Sequence, residues 1–174
     1  MRSRLLCPAV LAALAFGGCG GGGGDEPAKV ESKADFVAAA DKICVERDAA
    51  SAKLSNVGSD AELAQLAGKL AAIYDKAITD LQDVQLPPGA ARAGAQKYVE
   101  ANTAMLTPVK RMEAASTALE SAAKAKRTAD VKTAGEKLQT SVNTVQVLGE
   151  VADQAARDYG MKRCGQTTTS NPVS

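Results

Sequence analysis

TADVKTAGEKLQTSVNTVQVLGEVADQAARDYG, residues 128–160, decides the architecture. Val131, Ala134, Leu138, Ser141, Val145, Leu148, Ala152, Ala155 and Tyr159 recur at alternating spacings of three and four. That spacing keeps one face of an α-helix apolar or small from end to end. Thr128 and Asp130 stand where a helix opens, and Gly160 fits the left-handed position that closes one. The stretch therefore predicts one long helix with a single buried face.

The same alternation appears three more times upstream. Phe36, Ala40, Ile43, Ala50 and Leu54 mark a first helix, opened by a Ser32/Asp35 capping pair, ended by Gly58 and interrupted on its stripe by Arg47. Ser59 followed by Glu62 is a capping box that starts a second, with the stripe Leu63, Leu66, Leu70, Ile73, Ala77, Leu81 and Val84. LPPG at 86–89 stops it, because proline lacks a donor and collides with the preceding turn. A third runs from Gly89–Ala91 through Ala95, Tyr98, Asn102, Met105, Val109, Met112, Ser116, Leu119 and Ala123. Pro108 falls inside it and predicts a kink there or a break near Thr107. Four stripes joined by short connections predict an all-α, antiparallel, up-down-up-down four-helix bundle over residues 34–164.

What precedes the helices sets an address. Arg2 and Arg4 lead an apolar run, Leu5 to Phe16, the layout of an export signal. As a helix the run reaches roughly 18 Å, short of the roughly 30 Å hydrocarbon core of a bilayer. Gly17, Gly18 and Cys19 close it, and five glycines follow. This resembles the lipobox of bacterial lipoproteins, whose cysteine receives a diacylglyceryl group and becomes the mature N-terminus. The resemblance implies a signal peptide at 1–18, a Cys19 that carries the palmitate-type lipid, and a body held at the extracytoplasmic face of the cell membrane. Phe16 stands where that family prefers leucine, and an ordinary cleaved signal that leaves Cys19 a free thiol is the alternative. Residues 19–33 then read as a flexible Gly-rich spacer and 165–174 as a disordered tail.

Composition narrows the chemistry. The chain of 174 residues has 21 basic and 20 acidic side chains, and Arg2 and Arg4 leave with the signal. The mature chain is near neutral and carries no nucleic-acid footprint. It has no histidine and no tryptophan, so the commonest general base and metal ligand are missing. No spacing of residues places a nucleophile beside a base, so no catalytic residue is assigned and no cofactor is expected. Once Cys7 departs and Cys19 is acylated, Cys44 and Cys164 remain, an even pair in an oxidising compartment. They are expected to bond to each other, two separate thiols being the alternative. A metal site on two distant cysteines is a poor ligand set.

ADKIC at 40–44 and YGMKRCG at 159–165, with the Gly-rich spacer and LPPG, resemble the flanking motifs of small helical lipoproteins of high-GC Gram-positive bacteria. The resemblance implies an envelope address and the same disulfide; it carries no chemistry.

Several features have a plain packing explanation. Met105 and Met112 fill core space rather than bind copper. The carboxylates are dispersed, and a di-iron bundle would need Glu-x-x-His pairs. Gly135, Val142, Gly149 and Ala156 line up beside the last stripe and suggest close approach of a neighbouring helix, or a surface for a partner helix. Lys124, Lys126, Arg127 and Lys132 gather at the distal turn, and Lys162 and Arg163 follow the last helix. At Arg47 either the stripe turns outward or the guanidinium reaches solvent along its stem, and the functional alternative makes Arg47 the candidate for a partner or anion contact. The favoured function is a non-enzymatic, lipid-anchored interaction module that meets an envelope protein. The alternative is an extracytoplasmic carrier for a small ligand or metal.

Overall fold

The computed structural model describes residues 29–54 and 59–166. The signal at 1–18, Cys19, the glycines of the spacer, Gly58 and the tail from 167 lie outside the described residues. The described residues are all-helical, in five segments: α1 (Lys33–Ser51), α2 (Asp60–Asp83), α3 (Ala91–Thr103), α4 (Leu106–Lys124) and α5 (Thr128–Tyr159).

Local chemistry sets most boundaries. Ser32 Oγ accepts from the Asp35 N–H at 3.2 Å and donates to its carboxylate at 2.8 Å, closing the first turn of α1. Ser59 and Glu62 repeat the arrangement on α2, at 3.3 and 3.0 Å. Gly89 takes φ +67° after the two prolines, and Gly160 takes +91° at the end of α5, where Met161 N–H reaches back to the Ala156 carbonyl at 2.9 Å. At the α4–α5 turn the left-handed residue is Lys126, φ +52°, a position with no glycine to mark it.

The third expected helix is two, α3 and α4. The interruption lies at Ala104 and Met105, one turn before Pro108 rather than at Thr107. A proline ring collides with the carbonyl four residues earlier, here Ala104, and offers that carbonyl no N–H. At the interruption Met105 N–H bonds back only three residues, to Asn102 O at 3.0 Å.

The buried face of α2 also differs from the expected one. Ala64, Ala67, Ala71, Ile78 and Leu81 are buried, whereas Leu63 is 42% exposed and Leu66, Leu70 and Ile73 are only partly covered. The alanine line sits against α4 because it lets the backbones approach. Ser116 Oγ donates to the Ala64 carbonyl at 2.8 Å, and a Cβ on Gly68 would lie 2.8 Å from the same oxygen.

Two clusters form the interior. One joins α2, α4 and α5 around Val109, Met112, Leu119, Leu138 and the alanines, with Met105 at its edge. The other joins α1, α3, the end of α5 and the chain after it around Phe36, Tyr98, Tyr159, Cys44 and Cys164. Val30, just before α1, belongs to the second cluster. No described helix is long and apolar enough to cross a membrane.

Candidate functional site

One end of the molecule is closed by residues far apart in sequence. Cys44 and Cys164 form a disulfide across a separation of 120 residues, their Cα atoms 5.3 Å apart. Asp41, one turn before Cys44 on α1, guides that closure. Its carboxylate accepts the backbone N–H groups of Lys162, Arg163 and Cys164 at 3.2, 2.9 and 3.2 Å. Charge-assisted bonds of this kind are the stronger class.

The rest of the YGMKRCG segment has comparably specific tasks. Tyr159 meets Phe36 edge-on, ring centres 5.7 Å apart, and Lys33 lies over its face at 4.6 Å. Its ring occupies the space a Cβ on Gly94 would need, at 2.5 Å. A Cβ on Gly165 would lie 2.7 Å from Arg157 Cγ, and Arg157 donates to the Gly165 carbonyl at 3.0 Å. The Tyr159 hydroxyl is buried, and burial pushes its pKa up. Asp41 and Cys44 of the first motif and Tyr159, Cys164 and Gly165 of the second are thus engaged in packing the last segment.

Arg47 lies one turn beyond Cys44. Its side chain is 14% exposed. Nε and Nη2 both donate to Asp48 Oδ1, at 2.9 and 2.8 Å, and the guanidinium lies 5.5 Å from the centre of the Tyr74 ring. Burial works against its charge, but Tyr74, Asp48 and Tyr98 outweigh it and hold the pKa above its ordinary value. Burial raises the pKa of Asp153 on α5, and Arg47 opposes that rise. Burial pushes Tyr98 up to about 12. The Tyr98 hydroxyl lies 3.5 Å from Cys44 Sγ, and since that sulfur is bonded the phenol is the donor. Arg47, Tyr74, Tyr98 and Asn102 border a cavity of about 10 Å3, room for about one water molecule. The candidate contact residue therefore already has internal partners.

A second concavity went unread in the sequence. A groove of about 510 Å3 lies between α4 and α5, bordered by Arg111, Ala114, Ala118, Thr133, Lys137 and Thr140. Positions 111, 114, 118 and 133, 137, 140 do recur at helical spacing, but alanine, threonine and charge in that pattern read as a solvated face.

Met105 and Met112 are both buried in the interior. A Cβ on Gly135 or Gly149 would meet nothing within 4 Å, so no helix approaches closely there; the close approaches are at Gly68, Gly94 and Gly165 instead. Among the described residues no group of three His, Cys, Asp or Glu is placed to hold a metal ion. Comparison with protein-family models, curated proteins and solved structures found no match.

Proposed function

We propose that this protein is a non-enzymatic interaction module of the cell envelope, tethered by an acylated Cys19 to the extracytoplasmic face of the membrane. The observation that carries the export half is the disulfide. The two cysteines left after the leader and Cys19 are set aside are bonded partners, and structural disulfides persist in oxidising compartments. Cys19 itself rests on the leader: two arginines, a short apolar run and Gly-Gly-Cys. Lipid with two or more chains gives stable anchoring.

We further infer antiparallel, up-down-up-down helices. Supporting this, Gln65 bonds Glu120 while Gln82 bonds Thr103, and Lys97 pairs with Asp158. In that arrangement the tether enters at the disulfide end, where Val30 is buried with Phe36 and Tyr159, and the α4–α5 hairpin points away from the membrane. A non-enzymatic role is supported by the internal engagement of Arg47, Asp41 and the motif residues.

The test is intact mass of the protein purified from membranes. A mature chain beginning at a diacylglyceryl-modified Cys19 is the expected result, with Cys19→Ser lost from the membrane fraction. An unmodified thiol, or a terminus elsewhere, overturns the tether. Proximity labelling on intact cells should return one reproducible envelope protein.

A second reading, a small-ligand carrier, is favoured by the groove between α4 and α5. Its lining of Arg111, Lys137, alanines, threonines and one acid, Glu136, suits an organic anion better than a metal ion.

A further inference from the structure

The groove between α4 and α5 has the volume of a small-molecule site, which runs from roughly 300 to 1,000 Å3. Ala115 and Ser141 lie at its base and are buried. Ala114 and Ala118 line the α4 side, and both are exposed. Threonines line the α5 side, yet their hydroxyls face their own helix. Thr133 Oγ1 donates to the Ala129 carbonyl at 3.1 Å and Thr140 Oγ1 to the Glu136 carbonyl at 2.9 Å. Ser141 Oγ donates likewise to the Lys137 carbonyl at 2.9 Å. A hydroxyl already bonded to backbone makes no strong demand on a ligand, so the lining behaves as hydrocarbon.

Two basic side chains and one acidic one border it. Arg111 on α4 and Lys137 on α5 flank the same groove. Among the described residues neither has a carboxylate within ion-pair distance. Glu136 is the one acid in the lining, and basic residues outnumber acidic ones along the whole hairpin from 106 to 140. The lining carries one more positive charge than negative, and a net positive cleft favours anionic ligands over cationic ones.

We propose that this groove binds a single-chain anionic amphiphile, a fatty-acid anion of medium length. Its carboxylate sits between Arg111 and Lys137, and its chain runs along Ala114, Ala118 and the threonine methyls toward the α4–α5 turn. Residues 111 to 118 span about 10 Å of helix, which sets the length of chain that is covered. The proposal rests on the carrier reading and is independent of the lipid anchor.

The test is calorimetric titration of the mature chain with decanoate, decanol and decyltrimethylammonium, each below its micelle concentration. Decanoate should bind saturably at one site. Arg111→Ser combined with Lys137→Ser should weaken it at least tenfold. Ala118→Phe should abolish it; that position is exposed, so the melting temperature should hold, and Ala114→Leu on the same wall serves as the second blocking variant. Equal or tighter binding of decyltrimethylammonium would overturn the anionic class while leaving a carrier in place. Absence of binding by all three would overturn both. A concentration-dependent dimer that Ala118→Phe dissociates, without decanoate binding, would mean that a second copy covers the groove and would also overturn the proposal.

Discussion

The two ends of this molecule are built from the same helical periodicity and held by different forces. At the disulfide end, Phe36, Tyr98 and Tyr159 supply large buried rings, and a covalent bond with three amide contacts to Asp41 closes the structure. In the cluster that joins α2, α4 and α5, alanines on three helices let backbones approach, and Leu119, Leu138, Val109 and the two methionines fill the remainder. A small-residue interface offers little apolar area per residue, so its stability comes from close contact along the whole length. The first end is cross-linked covalently and by charge-assisted bonds. The second presents an open groove in which Arg111 and Lys137 have, among the described residues, no carboxylate within ion-pair distance.

The largest effect that could break this contrast is loss of the disulfide. Closing a loop of this length stabilises by about 5 kcal/mol in the chain-entropy limit. Cys44→Ser with Cys164→Ser should lower the urea midpoint accordingly. Amide exchange should quicken first in α1 and residues 160–165, with α4 and α5 protected longer. Equal loss of protection everywhere would show one cooperative unit and dissolve the distinction between the ends.

Next in size is an alkaline signature confined to the disulfide end. Burial pushes the Tyr98 phenol up to about 12, against an ordinary value of 10. Its folded pKa is the higher one. The stability contributed by the neutral phenol is therefore complete below pH 10 and disappears as pH climbs toward 12. Two units correspond to about 3 kcal/mol. Tyr98→Phe should flatten the fall in stability between pH 10 and 12; parallel profiles for the two proteins would refute this.

Asp41→Ala comes third. It leaves three backbone N–H groups without their acceptor and should cost about 2 kcal/mol, with Asp41→Asn recovering part of that. Denaturant curves for the pair of variants measure it. If neither moves the midpoint, the carboxylate is not what docks the last segment.

The smallest effects come from glycines and should differ in sign between open and closely packed positions. Gly135→Ala and Gly149→Ala meet open space and should each stabilise by roughly 1 kcal/mol through helix propensity. Gly94→Ala drives a methyl into the Tyr159 ring and should destabilise by roughly 1–2 kcal/mol. Thermal melts of the three single variants decide it, and stabilisation by Gly94→Ala would mean that the Tyr159 ring yields easily.

Sequence reading was strongest where the deciding contacts are local. Ser32, Ser59 and Gly160 act within about one turn of themselves, so the starts of α1 and α2 and the end of α5 were legible from residue types alone. The stripe of α5 was legible too, because period and burial agree along it. Cysteine arithmetic singled out Cys44 and Cys164 on a simple count: with Cys7 assigned to an export signal and Cys19 to a lipid, these two are left, either paired or as separate thiols, and the structure pairs them.

Tertiary structure decided what depends on neighbours distant in the chain. The leucine and alanine lines of α2 are adjacent at 3.6 residues per turn, and periodicity leaves the choice open; Ser116, 52 residues from Ala64, draws the alanines inward. Asp41 gained its role from amides more than 120 residues away, and Arg47 gained a ring from another helix. The groove arises only once α4 and α5 lie side by side. Hydrophobic period and capping are properties of one helix, whereas close approach, charge pairing and concavity are properties of two.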